Sequence, residues 1–260
     1  MKISFTKAHG AHNDFLITPR EEISADVDCA ALARAICDRH TGVGADGWIV
    51  VSSTIAADAA IELWNSDGSR SALSGNGTRS VALYLMEHRQ SAEKIRILTG
   101  AGLKELRFLE KRGREYIFEM NMGAARIEEL HTTIESADAT IVDVGNPQCA
   151  VFARDFDFDW RALGARIERH PRFPQRTNVS FIQVLDPHRI AVRFWERGAG
   201  ETMSSGTGAT GAAAASIARG LTRSPVEVQT PAGALALRWE NEDIFLAGPA
   251  EIVARGEFYF

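Results

Sequence analysis

The sequence predicts a strand-rich α+β fold built as two pseudo-symmetric lobes, and three observations carry that expectation. Short alternating or apolar runs bounded by Gly, Pro, Asn and Asp recur along the chain, helical periodicity is confined to four places, and one stretch repeats itself half a chain later. The regular βαβ alternation of a doubly wound fold is missing. A length of 260 residues suits one large domain or two modest ones, each able to bury a core.

In the first half, residues 3–8, 15–18, 48–52, 61–64, 95–99 and 115–122 carry strand patterning. Helices are expected over 29–39, behind Asp26 and Asp28 as candidate caps, and over 76–88. In the second half, strands are expected over 140–144, 150–152, 179–184, 190–195, 226–230, 234–239 and 252–260, with helices over 160–168 and the Ala-rich 208–219. Residues 123–138 are polar and weakly periodic, as a linker or crossover would be. The expected lobes are therefore 1–122, completed by the C-terminal strand at about 250–260, and 123–249.

The repeat is specific. Ile61-Glu62-Leu63-Trp64-Asn65 shares its rhythm with Val192-Arg193-Phe194-Trp195-Glu196, and ten residues after each Trp comes Ser-Gly-x-Gly. Trp64 and Trp195, like Ser74 and Ser205, are 131 residues apart, and each glycine loop opens a helix. Upstream, Gly10-Ala11-His12-Asn13 answers Val144-Gly145-Asn146-Pro147, and Thr41-Gly42-Val43 answers Thr177-Asn178-Val179.

Composition excludes several classes of function. With 45% hydrophobic and 24% charged residues the chain is an ordinary globular protein rather than a disordered or fibrous one. A net charge of −5 without a Lys/Arg block argues against nucleic-acid binding. No apolar stretch approaches the roughly 18 residues of a membrane span, so no membrane partner is expected. Met1–Lys7 reads as strand rather than signal peptide, and Cys29, Cys37 and Cys149, which lack zinc spacing, fit a reducing compartment, so a cytoplasmic location is expected. The seven histidines show no metal spacing, and His9 and His12 read as solvated loop residues. Gly206-Thr207-Gly208-Ala209-Thr210-Gly211 satisfies G-x-G-x-x-G, but it does not directly follow a strand and the next strand ends in Gln229-Thr230 rather than an acid. Neither a metal nor a cofactor is expected.

A Gly-rich loop entering a helix leaves backbone N–H groups unpaired at the positive end of the helix dipole, which suits a carboxylate or phosphate. Ser74 and Ser205 open the two loops and would face the bound molecule; each is also a plausible N-cap with no chemistry. Glu196-Arg197 follows directly on a strand, where functional loops cluster. Asn13, Asn65, Asn146 and Asn178 sit in loops or at strand starts, where Asn is individually a common turn former.

With these residues in place, the chain resembles the diaminopimelate epimerase family of pyridoxal-phosphate-independent amino-acid racemases and epimerases. The resemblance runs over Gly10–Phe15, residues 41–47, Asn65-Ser66-Asp67-Gly68-Ser69, Gly75-Asn76-Gly77, Gly145-Asn146-Pro147, residues 176–179 and residues 196–209. It implies two similar lobes, each a sheet wrapped around a central helix, with the active site in the cleft between them. One lobe supplies a base that removes the α-proton, and the other an acid that returns it on the opposite face. By the same matching, Asn13, Asn65, Asn178, Glu196 and Arg197 would hold the substrate's far amino-acid end, Gly75-Asn76 and Gly206-Thr207 would hold the reacting α-carboxylate, and Asn146 is a further expected substrate-binding residue.

The family's two acid–base groups are cysteines, and their positions here are Ser74 and Ser205. The family's His after Asn-Pro is Gln148, which cannot take a proton, and Glu196 is the ionisable helper expected near Ser205. Both changes swap one sulfur for one oxygen at the reactive positions while three other cysteines remain, which favours a Cys-to-Ser replacement in an epimerase of LL- and meso-diaminopimelate. The alternatives are a racemase of another polar amino acid such as histidine, an isomerase or lyase on the same scaffold, and an inactive amino-acid-binding homologue. The expected partners are a small amino-acid substrate and, by resemblance, a second copy in a homodimer.

Overall fold

Alternating apolar and polar residues turn most of the chain into strands. The computed structural model describes residues 1–88 and 93–260 and divides the chain into two units, Met1–Met120 with Gly248–Phe260, and Asn121–Ala247.

In the first unit, β1 (Lys2–Gly10) and β2 (Asn13–Pro19) form an antiparallel hairpin closing on Gly10 opposite Asn13. Its two connecting residues, Ala11 and His12, both have positive φ (50° and 60°), the backbone twist that matches paired strands. Helix α1 (Cys29–Cys37) starts at Asp28, whose carboxylate accepts from the Ala30 and Ala31 amides. β3 (Gly47–Ser52) then runs parallel to β2, and β4 (Ala59–Asn65) returns antiparallel to β3, with the short β5 (Arg70–Ser71) on its far edge. After α2 (Gly75–His88), β6 (Lys94–Thr99) lies parallel to β4 and continues into the antiparallel β7 (Gly102–Arg112) and β8 (Glu115–Ala124).

The second unit begins with β9 (Arg126–Ile134) and then repeats the plan element for element. β10 (Ala137–Asp143) and β11 (Pro147–Phe152) form a hairpin, and α3 (Trp160–Glu168) leads to β12 (Asn178–Asp186), parallel to β11. β13 (Arg189–Glu196) and β14 (Gly200–Thr202) precede α4 (Gly206–Ala218), and β15 (Val226–Thr230) lies parallel to β13. β16 (Gly233–Glu240) and β17 (Asp243–Tyr259) complete the meander. The end of β17 pairs with β1 in the first unit as β9 pairs with β10 in the second.

Burial follows from composition. α1 packs Leu32, Ala33 and Ile36 against Ile3, Leu16, Trp48 and Val50, and the Trp48 indole N–H donates to Thr18 Oγ1 at 3.0 Å. α2 and α4 are enclosed on all sides: residues 76–83 of α2 and 208–216 of α4 are buried. α4 can be central because it is almost all Gly and Ala, and β9–β13, β15 and β16 close in on it. A Cβ on Gly208 would lie 2.8 Å from the Phe194 ring, and one on Gly211 2.9 Å from Gln148 Cγ.

Four expectations change. Residues 123–138 are not a linker, since they contain β9, whose outward residues are polar and whose pairing with β10 slips register twice, hiding its period-two signal. β7 escaped because Leu106 alone is buried on it. α1 stops at Cys37 instead of 39, because the Asp38 carboxylate accepts from the His40 and Thr41 amides. β17 starts nine residues before position 252. Among the described residues, no helix is long and apolar enough to cross a membrane.

Candidate active site

Each unit presents one glycine loop at the start of its buried helix. In the first, Ser74 caps α2: its hydroxyl oxygen accepts from the Gly77 amide at 3.1 Å, and its carbonyl accepts from the Thr78 amide and hydroxyl. The opening N–H groups of a helix have no intrahelical acceptor, which leaves the Gly75 and Asn76 amides for a bound anion. Among the described residues, the Ser74 hydroxyl has no carboxylate partner.

Asn76 is buried and linked on both sides. Its side-chain oxygen accepts from Arg79 Nη2, and its NH2 donates to Asn13 Oδ1 at 3.2 Å. Asn13 in turn donates to Asp46 Oδ2 at 2.7 Å, and Arg39 bridges Asp46 and Asp14. Burial alone would raise the Asp14 pKa, but hydrogen bonds from Arg39 and Lys7 outweigh it and hold the carboxylate below its usual range. Asn13 thus stands at the hairpin mouth, tied both to the helix start and to this ion network. Asn65 is placed differently: its NH2 donates to Ser69 Oγ at 2.9 Å, making it part of the 65–69 turn.

In the second unit, Ser205 caps α4 by accepting from the Gly208 amide at 3.1 Å, and it also donates to Glu196 Oε2 at 3.0 Å. The other Glu196 oxygen accepts from Thr202 Oγ1 at 2.6 Å. The residue as a whole is only partly buried, yet protein surrounds its carboxyl group closely. Desolvation therefore raises its pKa, opposed by the two hydroxyl hydrogen bonds. A raised pKa makes the carboxylate, once ionised, a stronger base, and one that touches a serine hydroxyl can accept its proton.

Around this pair, Gln148 Nε2 donates to Asn146 Oδ1 at 2.7 Å, and Asn146 Nδ2 approaches Thr207 Oγ1 at 3.4 Å, beside Gly206 at the helix start. Gln148 is 1% exposed, and its Oε1 has no partner among the described residues. Asn178 accepts from the Arg197 amide at 3.0 Å and donates to the Pro147 carbonyl at 3.2 Å, so both ends of its amide brace the loops. Arg197 itself is exposed, with Nη1 on the Gln175 carbonyl.

Two contributors went unnoticed in the sequence. Glu168, buried at the end of α3, accepts from the Trp195 indole and the Gly198 amide, both at 3.0 Å, and so frames the Glu196-Arg197 turn. Arg79 is fully buried in α2. Its signal was a charge set two residues before the apolar run Val81-Ala82-Leu83, and Glu168 gave none beyond its place in a helical last turn. Burial pushes the Cys37 and Cys149 thiols up to about 12, which makes both inert. Among the described residues, no three His, Cys, Asp or Glu converge as metal ligands.

A sequence profile described as diaminopimelate epimerase matches residues 5–128 and 140–253. The diaminopimelate epimerase of Pelotomaculum thermopropionicum is 41% identical, with 98% of each chain covered, and that of Desulforudis audaxviator is 39% identical, covering 98% of this chain and 99% of its own. Among solved structures, a phenazine biosynthesis protein of the PhzF family from Bacillus anthracis matches over 100% of both chains with a TM-score of 0.75 and 15% identity. A hydroxyproline epimerase from Agrobacterium vitis matches over 98% of this chain and 92% of its own, with a TM-score of 0.71 and 15% identity. At such identities these two structures bear on the fold alone.

Proposed function

Because this chain belongs to the diaminopimelate epimerase family of isomerases, we propose that it is a cofactor-independent epimerase interconverting LL- and meso-diaminopimelate, with positions 74 and 205 as its two proton-transfer groups. The observation that carries the reading is the Ser205–Glu196 hydrogen bond at the capped start of α4. A helix N-terminus meets the α-carboxylate and the enediolate charge that develops when the α-proton leaves. Glu196 accepts the Ser205 hydroxyl proton as the oxygen takes the α-proton. The hydroxyl at position 74 then delivers a proton to the opposite face and is recharged from solvent, to which Glu196 releases the proton it took.

Serine makes this slow. A thiol at a helix N-terminus has its pKa lowered to about 3.5–7.5, whereas a hydroxyl needs an adjacent base. We read the two serines as oxygen-for-sulfur replacements at the reactive positions, which leave substrate binding intact and turnover weak. Asn13, Asn65, Asn146, Asn178 and Arg197 belong in this proposal to recognition of the substrate's amino-acid ends.

Restoring both thiols, Ser74→Cys with Ser205→Cys, and incubating with LL-diaminopimelate in deuterated water tests the proposal by NMR. The expected result is inversion with deuterium uptake, faster by orders of magnitude than in the parent chain. Inversion of histidine or another polar amino acid instead would reassign the substrate, product without inversion from the parent would make it a different isomerase or lyase, and saturable binding without exchange in either form would leave a binding protein.

A further inference from the structure

Arg79 presents a problem that the proposed reaction does not absorb. It is fully buried, yet among the described residues its hydrogen-bond partners are neutral: Nε donates to the Pro249 carbonyl at 3.2 Å and Nη2 donates to Asn76 Oδ1. Nη1 is buried and unpartnered among the described residues. A buried guanidinium normally sits against a carboxylate, since desolvating a charge without a counter-charge is costly. Burial accordingly draws its pKa down, to about 10, which leaves it charged at neutral pH.

The orphaned donor points at the helix start. A Cβ built on Gly75 would lie 3.8 Å from Nη1 and 3.6 Å from Met120 Cε, both ordinary van der Waals distances, so a small group fits over the first residue of α2 and touches the guanidinium. The other donors are held rigidly: a Cβ on Gly10 would meet the Asn76 and Pro249 carbonyl oxygens at 3.1 Å each, so backbone packs against both of the residues that Arg79 grips.

We propose that Arg79 is a positioning residue for the reacting carboxylate: it fixes the Asn76 amide and, through it, Asn13, and it supplies the buried positive charge that an anion over Gly75-Asn76-Gly77 neutralises. The inference rests on the reading that the first turn of α2 receives the substrate's α-carboxylate. In the resting protein, among the described residues, the charge is met by a backbone carbonyl and an amide oxygen, and a bound carboxylate completes it. Arg79 acts behind the turn, through Asn76 and through its field.

The test uses the full-length 15N-labelled chain and its Arg79→Met and Arg79→Lys variants, titrated with acetate and with its neutral isostere acetamide while the amide resonances of residues 75–77 are followed. The parent is expected to bind acetate saturably and to prefer it over acetamide. In Arg79→Met the acetate dissociation constant should rise at least tenfold, about 1.4 kcal/mol, and the preference should collapse. Arg79→Lys should keep the preference and disturb the Asn76 side-chain resonances. A lowered melting temperature with unchanged acetate affinity would mean a purely structural arginine and would overturn the inference, as would the lack of a saturable acetate shift in the parent. Should Arg79→Met fail to fold, Arg79→Gln carries the same comparison. A parallel titration with LL-diaminopimelate separates the two readings. Arg79-dependent acetate binding without any response to diaminopimelate refutes the proposed substrate and leaves this role standing.

Discussion

Replacing Glu168 tests whether the turn bearing Glu196 and Arg197 is held from behind. The carboxylate accepts from the Trp195 indole N–H and the Gly198 amide, both at 3.0 Å, with its side chain 4% exposed. Losing a buried acceptor costs about 1–3 kcal/mol for an enclosed donor such as the indole. Gly198 is exposed, so water takes over part of its bond and its loss costs about 0.5–1 kcal/mol. Arg176 lies 3.5 Å away but is 52% exposed, and its ion pair adds little. The expected cost of Glu168→Ala is therefore about 1.5–4 kcal/mol, or roughly 5–20 °C in melting temperature for a unit of this size. Glu168→Gln, which keeps one acceptor oxygen, should cost about half as much. Although burial opposes ionisation, the indole and amide donors and nearby arginines hold the Glu168 pKa below its usual value. Its stabilisation is thus present above the ordinary carboxylate pKa and fades as pH falls through the lower folded value, and Glu168→Gln should remove that part of the acid limb. Chemical denaturation across pH, together with the Trp195 indole resonance, reads both effects. A cost below about 0.5 kcal/mol with an unmoved indole signal would refute this account.

Glu196 has the opposite sign. Burial raises its pKa in the folded protein, so its base form appears only above the ordinary carboxylate range. The α-hydrogen exchange rate should therefore rise through a step displaced upward in pH, stability should decline over the same interval, and Glu196→Gln should abolish both; a step that persists in the variant would exclude Glu196 as the titrating group. Gly208→Ala should destabilise by about 1–3 kcal/mol despite the better helix propensity of Ala, because the new methyl lies 2.8 Å from the Phe194 ring and 3.0 Å from Ser205 Cβ. A denaturation midpoint that rises would show that this packing relaxes freely.

The architecture was legible wherever one face of an element is buried. The Trp-to-serine repeat marks a real duplication of topology, because the same hairpin, parallel return and capped helix recur around Ser74 and Ser205. β7 and β9 were illegible because they bury few side chains, so charge and register slips outweigh alternation. The serines, Asn76 and Glu196 could be read from spacing and resemblance, since glycine loops and strand ends are local features. Glu168 and Arg79 could not, because their meaning lies in the loss of water on folding, and among the described residues Arg79 gains no carboxylate partner in its place. The asparagines separate in the same way. Asn13 and Asn76 form one chain of hydrogen bonds, whereas Asn65 and Asn178 spend their amides on local bracing.

Duplication supplies two helix starts, and the side chains around them differ. The residue 131 positions after Asn65 is Glu196, and the residue 131 positions after Arg79 is Thr210. Each repeat therefore carries one buried ionisable group where its counterpart carries a neutral one. Thr210 spends its hydroxyl on the Gly206 carbonyl, and Asn65 spends its amide on Ser69. A carboxylate in place of Asn65 would add a further acidic group to a fold whose helix starts favour an anion, and an arginine in place of the buried Thr210 would desolvate a second guanidinium. With a cation behind one start and a carboxylate beside the other, one repeat is suited to holding negative charge and the other to taking up a proton. The backbone plan is common to both repeats, so in the proposed reaction any difference between the two proton-transfer positions comes from these few side chains.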